Sequence, residues 1–366
     1  MFIPLFTASM SGIALYVYIR LILPLPLPLW MRIALGIAVV VIANRVVLVR
    51  TFELAVSDRM LLLGSWLHAS VLLMGLVCLF TDIVLLIFRP EVPDTWRALA
   101  IAALGFAISA YGIRQAMRAP PVREIALAVP GLAPALEDLR IAVLSDIHIG
   151  PLFRRRWVNK VVDRTMAAKP DLIVMPGDIV DSPESLLARD VAPLARLDAP
   201  HGVFVSPGNH EYIYGVEGWL KAYARMGMRV LYNAHAAIRV GGEIITIAGI
   251  ADPVGAIRPG KTPDLKAALA GAPKEDAFRL LLAHRPNDAA EAEAMGVDLQ
   301  VSGHTHGGQV WLFRRMTAAA NGGYAGGWYD VGKMRLLVSN GVGLWAGMPL
   351  RLGVNNQIWL VRLTAG

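Results

Sequence analysis

The sequence contains a single cysteine, Cys78, set inside an apolar run. One thiol excludes both an intrachain disulfide framework and a thiolate metal centre. Charge is scarce as well: Asp, Glu, Lys and Arg make up 17% of the 366 residues, while hydrophobic residues reach 55%. That balance is too apolar for an ordinary soluble chain of this length, so part of it is expected in lipid. Lysine is absent from the first 150 residues, where arginine supplies the basic groups. The formal net charge of +7 comes with no basic tail and no zinc-finger spacing. A membrane surface or a phosphate-bearing substrate satisfies it as well as nucleic acid would, and nucleic acid is not favoured. The N-terminus has no basic residue before its apolar stretch and no twin arginine, which predicts a retained segment rather than a cleaved signal.

The apolar excess is concentrated in residues 1–118, read as a membrane region. Crossing a hydrocarbon core of ~30 Å takes about 20 helical residues. Four segments are expected to span: Phe2 to Leu23, Leu29 to Val49, Leu61 to Phe88, and the short uncharged Ala98 to Ile113. Pro24, Pro26 and Pro28 remove backbone donors between the first two and predict a tight extended connection, hence a helical hairpin. Arg45, Arg50, Arg59, Arg114, Arg118 and Arg123 fall on one side, against Arg20, Arg32, Arg89 and Arg97 on the other. This bias predicts a multi-pass inner-membrane protein with both termini, and the domain that follows, in the cytoplasm. His68 and Asp82 lie in the third segment, where ionisable groups sometimes mark an ion path; two isolated groups do not make a relay.

Residues 119–138, with Pro120, Pro121 and Pro130, read as a linker, and residues 139–366 as a globular domain. Eight short apolar runs read as strands: Arg140 to Ser145, Leu172 to Met175, Val203 to Ser206, Ile244 to Ala248, Arg279 to Ala283, Asp298 to Ser302, Leu336 to Ser339 and Gln357 to Leu363. Val158, Val161, Val162, Thr165 and Met166 fall at helical spacing between the first two. Nearly continuous apolar strands alternating with helices predict two buried sheets covered by helices.

Five of these strands end in polar residues of metal-binding type. They are Asp146-Ile147-His148, Gly177-Asp178, Gly208-Asn209-His210-Glu211, His284, and Gly303-His304-Thr305-His306. Taken singly, each is an ordinary turn or a hydrogen-bonded rim residue. Together they aim imidazole, carboxylate and amide groups at one sheet edge, where open α/β sheets place their sites.

This ordered series resembles the signature of the calcineurin-like metallophosphoesterases. The apolar N-terminal region makes the chain look most like their bacterial membrane-associated branch. The resemblance covers about Arg140 to Leu363 and implies an α-helical transmembrane region followed by an α/β domain, a sandwich of two mixed β-sheets flanked by helices. Carried over by position, it implies that Asp146, His148 and His306 bind one divalent ion, that Asn209, His284 and His304 bind a second, and that Asp178 bridges both. The donor set suits manganese, iron or zinc. Related purple acid phosphatases place a metal-bound Tyr where this chain has Asp181, which disfavours a tyrosinate-ligated ferric centre. In relatives with Gly-Asp-x-x-Asp the second Asp pairs with the His of Gly-Asn-His. The catalytic pair implied here is Asp181 and His210, with His210 cationic and able to protonate a leaving oxygen; the plain alternative is a turn cap at Asp181.

The implied activity is hydrolysis of a phosphate ester or pyrophosphate bond by a metal-bridging hydroxide. A lipid-linked substrate is preferred, since similar bacterial enzymes cleave the pyrophosphate of a nucleotide-linked diacyl sugar. Arg154 to Arg156 either clamp a second phosphate, meet anionic headgroups or form a solvated helix start. Trp311, Phe313, the run Ala318 to Tyr329, and Leu344, Trp345 and Met348 within Gly341 to Leu350 form either a lipid-facing rim or core. A tethered phosphodiesterase for soluble nucleotides and a non-catalytic membrane sensor or scaffold remain the alternatives, and oligomeric state is not readable.

Overall fold

A computed structural model of the chain describes residues 2–52, 56–88 and 92–366. Two compact units emerge, one of residues 1–115 with 346–350 and one of residues 116–345 with 351–366. Arg89, one of the arginines counted for orientation, lies outside the described residues, as does the side chain of Arg50.

The first unit is helical. Helix α1 (Phe2–Val17) continues through a π-helical turn, Tyr18–Ile22; α2 (Leu29–Ala43), α3 (Arg45–Thr51), α4 (Asp58–Phe88) and α5 (Asp94–Met117) follow. Among the described residues, three helices are long and apolar enough to cross a membrane: Pro4–Ile22, Asp58–Phe88 and Asp94–Met117. The expected second span is shorter than its hydropathy suggested. Asn44 leaves helical geometry (φ −100, ψ 8) and ends α2 after 15 residues, about 22 Å of helix against the ~30 Å required. Its amide instead hydrogen-bonds Ser11 Oγ at 3.1 Å and the Val40 carbonyl at 3.0 Å. Asp82 pairs with Arg20 and accepts from Tyr16 Oη, tying α4 to the first helix. His68 is buried, with Nδ1 3.3 Å from the Ile42 carbonyl. Both groups therefore serve helix packing.

The second unit holds two six-stranded sheets. In the first, β1 (Val122–Val129), β12 (Ile358–Ala365), β2 (Arg140–Val143), β3 (Leu172–Pro176), β4 (Val203–Ser206) and β5 (Arg229–Val230) lie side by side in that order. The second runs β10 (Gly327–Val331), β11 (Met334–Val338), β9 (Leu299–Ser302), β8 (Phe278–Leu282), β7 (Glu243–Gly249) and β6 (Ala234–Val240). Strands β2 to β5 are mutually parallel, as are β7, β8, β9 and β11; β12 enters antiparallel to β2, and β6 and β10 antiparallel to their neighbours. All eight expected strands are present. The expected linker is not one: Val122–Val129 is an edge strand, paired along its length with β12. Its solvent-facing Arg123 and Glu124 hid the alternation that marks it.

Alternation within each strand explains the two-sided burial. Ile141 and Val143 of β2 point between the sheets, onto Ile245, Leu280 and Val301, while Ala142 and Leu144 face the helices. Those are α6 (Arg155–Ala167), α7 (Glu184–Val191), α8 (Asn209–Ile213) and α9 (Val216–Arg225). Helix α6 buries Trp157, Val158, Val161, Val162 and Thr165, a stripe at i, i+3, i+4 spacing. Arg154 at its start pairs with Asp190 at 3.0 Å. The expected rim divides: Leu344 is fully buried core, Phe313, Trp345 and Met348 are half-buried, and Trp311 is exposed, as are the neighbouring Leu312 and Met316. The run Ala318 to Tyr329 carries the end of a helix, Arg314–Ala320, and the start of β10.

Candidate metal centre and its comparisons

Because the parallel strands of both sheets finish at the same edge, the loops after β2, β3, β4, β8 and β9 converge there. The loops after β2 and β3 run alongside each other: Asp146 N donates to Gly177 O at 3.1 Å, and His148 N to Asp178 O at 3.1 Å. His284 Nδ1 donates to the carbonyl of Pro176 at 2.9 Å, so the end of β8 is fastened to the end of β3.

Backbone geometry at this edge is unusual. Asp146, His148, Asp178, His304 and His306 all adopt positive φ, between 49 and 66 degrees. Non-glycine residues seldom occupy that left-handed region, and each costs of order 1 kcal/mol or more. The turn this creates solves the problem posed by His304 and His306, whose side chains would face opposite ways on an extended strand. Glycines make room for it. A Cβ at Gly208 would strike the carboxylate and backbone of Asp178, and one at Gly303 would strike Ser145 Oγ and the Asp146 carboxylate.

Three groups result, one of them His148, Asp181 and His210, which is held together by hydrogen bonds to Asp181; the other two are the candidate ion-holding clusters. Asp146, His148 and His306 bring one ligand-type atom each within 4.8 Å of one another, and so do Asp178, His284 and His304. His148 Nε2 and His306 Nε2 face each other at 3.2 Å. Asp178 Oδ2 lies 3.2 Å from His284 Nε2 and 3.9 Å from both His148 Nε2 and His210 Nε2, between the clusters. Asn209 opens α8, and its Oδ1 is buried with no hydrogen-bond partner among the described residues, whereas His284 Nε2 faces the Asp178 carboxylate. An amide oxygen buried without a hydrogen bond carries a desolvation cost that a cation would remove. The donor chemistry, imidazole and oxygen without sulfur, fits divalent metal ions.

The expected pair of Asp181 with His210 is present, and it has a third member. Asp181 Oδ1 accepts from His210 Nδ1 at 2.6 Å and from His148 Nδ1 at 2.7 Å. A carboxylate can only accept, so both imidazoles carry their proton on Nδ1 and direct Nε2 toward Asp178. Burial alone would push His210 down, but Asp178 and Asp181 outweigh it and hold the imidazolium up at about 9. Burial favours neutral Asp181, yet the charges of His148 and His210 keep it well below the usual carboxylate range. Asp178 is likewise held low against burial, by His284 and His210. His304 and His306 are driven well below the usual imidazole range, by burial first and then by His284 and His148 respectively.

Three further residues matter that no motif spacing singled out. Glu211, fully buried, accepts from the backbone N–H groups of Gly208 (2.7 Å), Asp178 (3.0 Å) and Ile179 (2.8 Å), and from Tyr223 Oη at 2.9 Å. It locks the loops after β3 and β4 together. Its place directly after Asn209-His210 was visible in the sequence; its partners were not. Arg351, fully buried, donates from Nη2 to the carbonyls of Asn340 (2.6 Å) and Gly343 (2.7 Å), fixing the loop beside Asp146 and His306. Arg285, next to His284, forms a two-point pair with buried Asp252.

The calcineurin-like phosphoesterase family model matches residues 139–308, the interval that holds every residue of both clusters. A metallophosphoesterase of Caenorhabditis elegans is 35% identical over 283 residues, covering 74% of this chain and 57% of its own length. A Danio rerio transmembrane protein with a metallophosphoesterase domain is 32% identical, covering 72% and 61%. A metallophosphoesterase of Campylobacter jejuni is 30% identical, covering 72% of this chain and 69% of its own length. The chain thus spans roughly three fifths of the first two relatives, 57% and 61%. With the sandwich of two mixed sheets, the converging strand ends and these relatives in agreement, the chain belongs to the calcineurin-like metallophosphoesterase family.

Proposed function

We propose that this chain is a membrane-anchored, dinuclear-metal phosphoesterase that hydrolyses a phosphate ester or pyrophosphate bond of a lipid-linked substrate. The observation that carries the reading is the pair of clusters around Asp178, with Asn209 Oδ1 buried and without a hydrogen bond among the described residues. Asp146, His148 and His306 would hold one ion and Asn209, His284 and His304 the other, with Asp178 between them. Manganese, iron and zinc all suit these donors. When bound, the ions supply Lewis-acid polarisation of the phosphoryl group and a nucleophile ionised near neutral pH.

The protein's own part is positional and electrostatic. Asp181 fixes the tautomers of His148 and His210 through one shared oxygen. Its second duty is to keep His210 cationic, so that Nε2 presents a proton to the departing oxygen. The His210 side chain is 15% exposed, against 0% for His148, which suits one to meet substrate and the other to stay within the centre.

A lipid-linked substrate is supported by the three long apolar helices and by exposed Trp311, Leu312 and Met316 shortly after His306 in the chain. The arginine count supports a cytoplasmic catalytic domain on an inner membrane. The test is turnover by detergent-solubilised, manganese-loaded full-length protein on matched panels. One panel carries lipid-linked phosphates and pyrophosphates, including a nucleotide-linked diacyl sugar; the other carries soluble nucleotides. Preference for the lipid panel is expected, and equal turnover of both would replace this reading with a tethered phosphodiesterase.

A further inference from the structure

Asp252 lies just past the end of β7 and Arg285 just past the end of β8, at the same edge as His284 and His304. Asp252 is fully buried, and it accepts from Arg285 Nε at 2.9 Å and Nη2 at 3.2 Å. The same carboxylate accepts from Val254 N at 2.8 Å, so it too is fixed in place. Both contacts fall on one edge of the guanidinium. The remaining edge, formed by Nη1 and the second Nη2 hydrogen, makes no hydrogen bond among the described residues, and the Arg285 side chain is 28% exposed.

A planar fork held along one edge is pre-organised at the other, and the spacing of its two terminal nitrogens matches two oxygens of a phosphoryl group. Arg285 directly follows His284, so this part-exposed side chain stands at a ligand-bearing strand end. We propose that Arg285, aimed by Asp252, is a substrate-binding residue that takes an anionic phosphoryl oxygen on the His284 and His304 side of the centre. Asp252 acts through Arg285 and is a positioning residue. The inference rests on the phosphoesterase reading and deepens it. The recognised chemistry is a phosphoryl oxygen, supplied either by the scissile group or by a second phosphoryl group beyond it.

The experiment is calorimetric titration of manganese-loaded, full-length protein with inorganic phosphate and with pyrophosphate, alongside KM for a phosphodiester. Arg285→Ala is expected to weaken anion binding about tenfold or more, the loss of charge-assisted hydrogen bonds. Equal weakening for both anions identifies the scissile group; weakening confined to pyrophosphate identifies a second phosphoryl group. Arg285→Lys, which keeps the charge and loses the fork, is expected to fall between wild type and Arg285→Ala, and Asp252→Asn is expected to raise KM in the same direction. Metal content and thermal melts show whether each variant is folded; Arg285→Lys and Asp252→Asn serve if Arg285→Ala is not. Unaltered affinity for both anions in folded variants with normal metal content overturns the proposal. Absence of turnover in the wild type with every metal would instead overturn the phosphoesterase reading, and the titrations would still decide the role of Arg285.

Discussion

Asp181 and His148 are joined by a 2.7 Å hydrogen bond to the same carboxylate oxygen that holds His210 at 2.6 Å. One oxygen therefore orients an imidazole of the proposed metal centre and the imidazole proposed to deliver the proton. Asp181→Asn should damage both at once. Its amide can accept at one oxygen but supplies no negative charge to keep His210 cationic. We expect turnover to fall roughly 10- to 100-fold together with weaker metal retention, the usual cost of losing a partner behind a ligand histidine. Metal analysis after dialysis, paired with initial rates, reads the two effects separately. A loss of rate with metal retention untouched would leave His210 as the sole functional partner of Asp181.

His210→Ala should behave differently. His210 groups with His148 and Asp181, but its Nδ1 is taken up by Asp181 and it stands outside the two proposed ion-holding clusters, so bound metal should stay at the wild-type level. Turnover should fall about 10²- to 10⁴-fold for alkyl esters, the range of a lost general acid, and much less for aryl esters whose leaving groups need no proton. A leaving-group series on the variant checks this. A uniform loss across the series would argue that His210 positions substrate instead.

The metal-free protein should lose stability as pH rises above neutrality. A histidine raised from 6.5 binds its proton more tightly folded than unfolded, so its contribution is complete below 6.5 and is lost as pH climbs through the folded value. His210 is raised to about 9 by Asp178 and Asp181 against the opposing effect of burial. His284 is raised to about 10, again against burial, chiefly by Asp178. The window is therefore pH 6.5 to about 10. Melting temperatures of chelator-treated protein should decline across it, and metal-loaded protein should decline less, because a bound ion displaces the proton of His284 while His210 keeps its own. A flat metal-free profile would show that these imidazoles are not held cationic.

Much of this was legible in the sequence. Continuous apolar runs such as Leu172 to Met175 announce strands buried on both faces, and the polar residues directly after them announce the site. What escaped has physical reasons. Val122–Val129 is an edge strand beside prolines, with exposed charged residues at consecutive positions 123 and 124, so it carried the composition of a linker. Leu29 to Val49 looked long enough to span because hydropathy does not register the break at Asn44. Leu344 sits among glycines yet is core, since burial there depends on a loop folding back along Ile147 and not on local pattern. The left-handed backbone at Asp146, His148, Asp178, His304 and His306 leaves no compositional trace, and it is what turns scattered side chains inward. Glu211, Asp252 and Arg285 act through partners distant in sequence, which spacing alone cannot supply.

The most direct measurement is metal content and phosphodiester turnover of purified Asp178→Asn protein after manganese loading. Asp178 lies between the two clusters, within 3.9 Å of His148 and 3.2 Å of His284. Loss of bound manganese relative to wild type, with turnover reduced to background, is the expected result. Full turnover by the variant would contradict a dinuclear phosphoesterase centre built around Asp178.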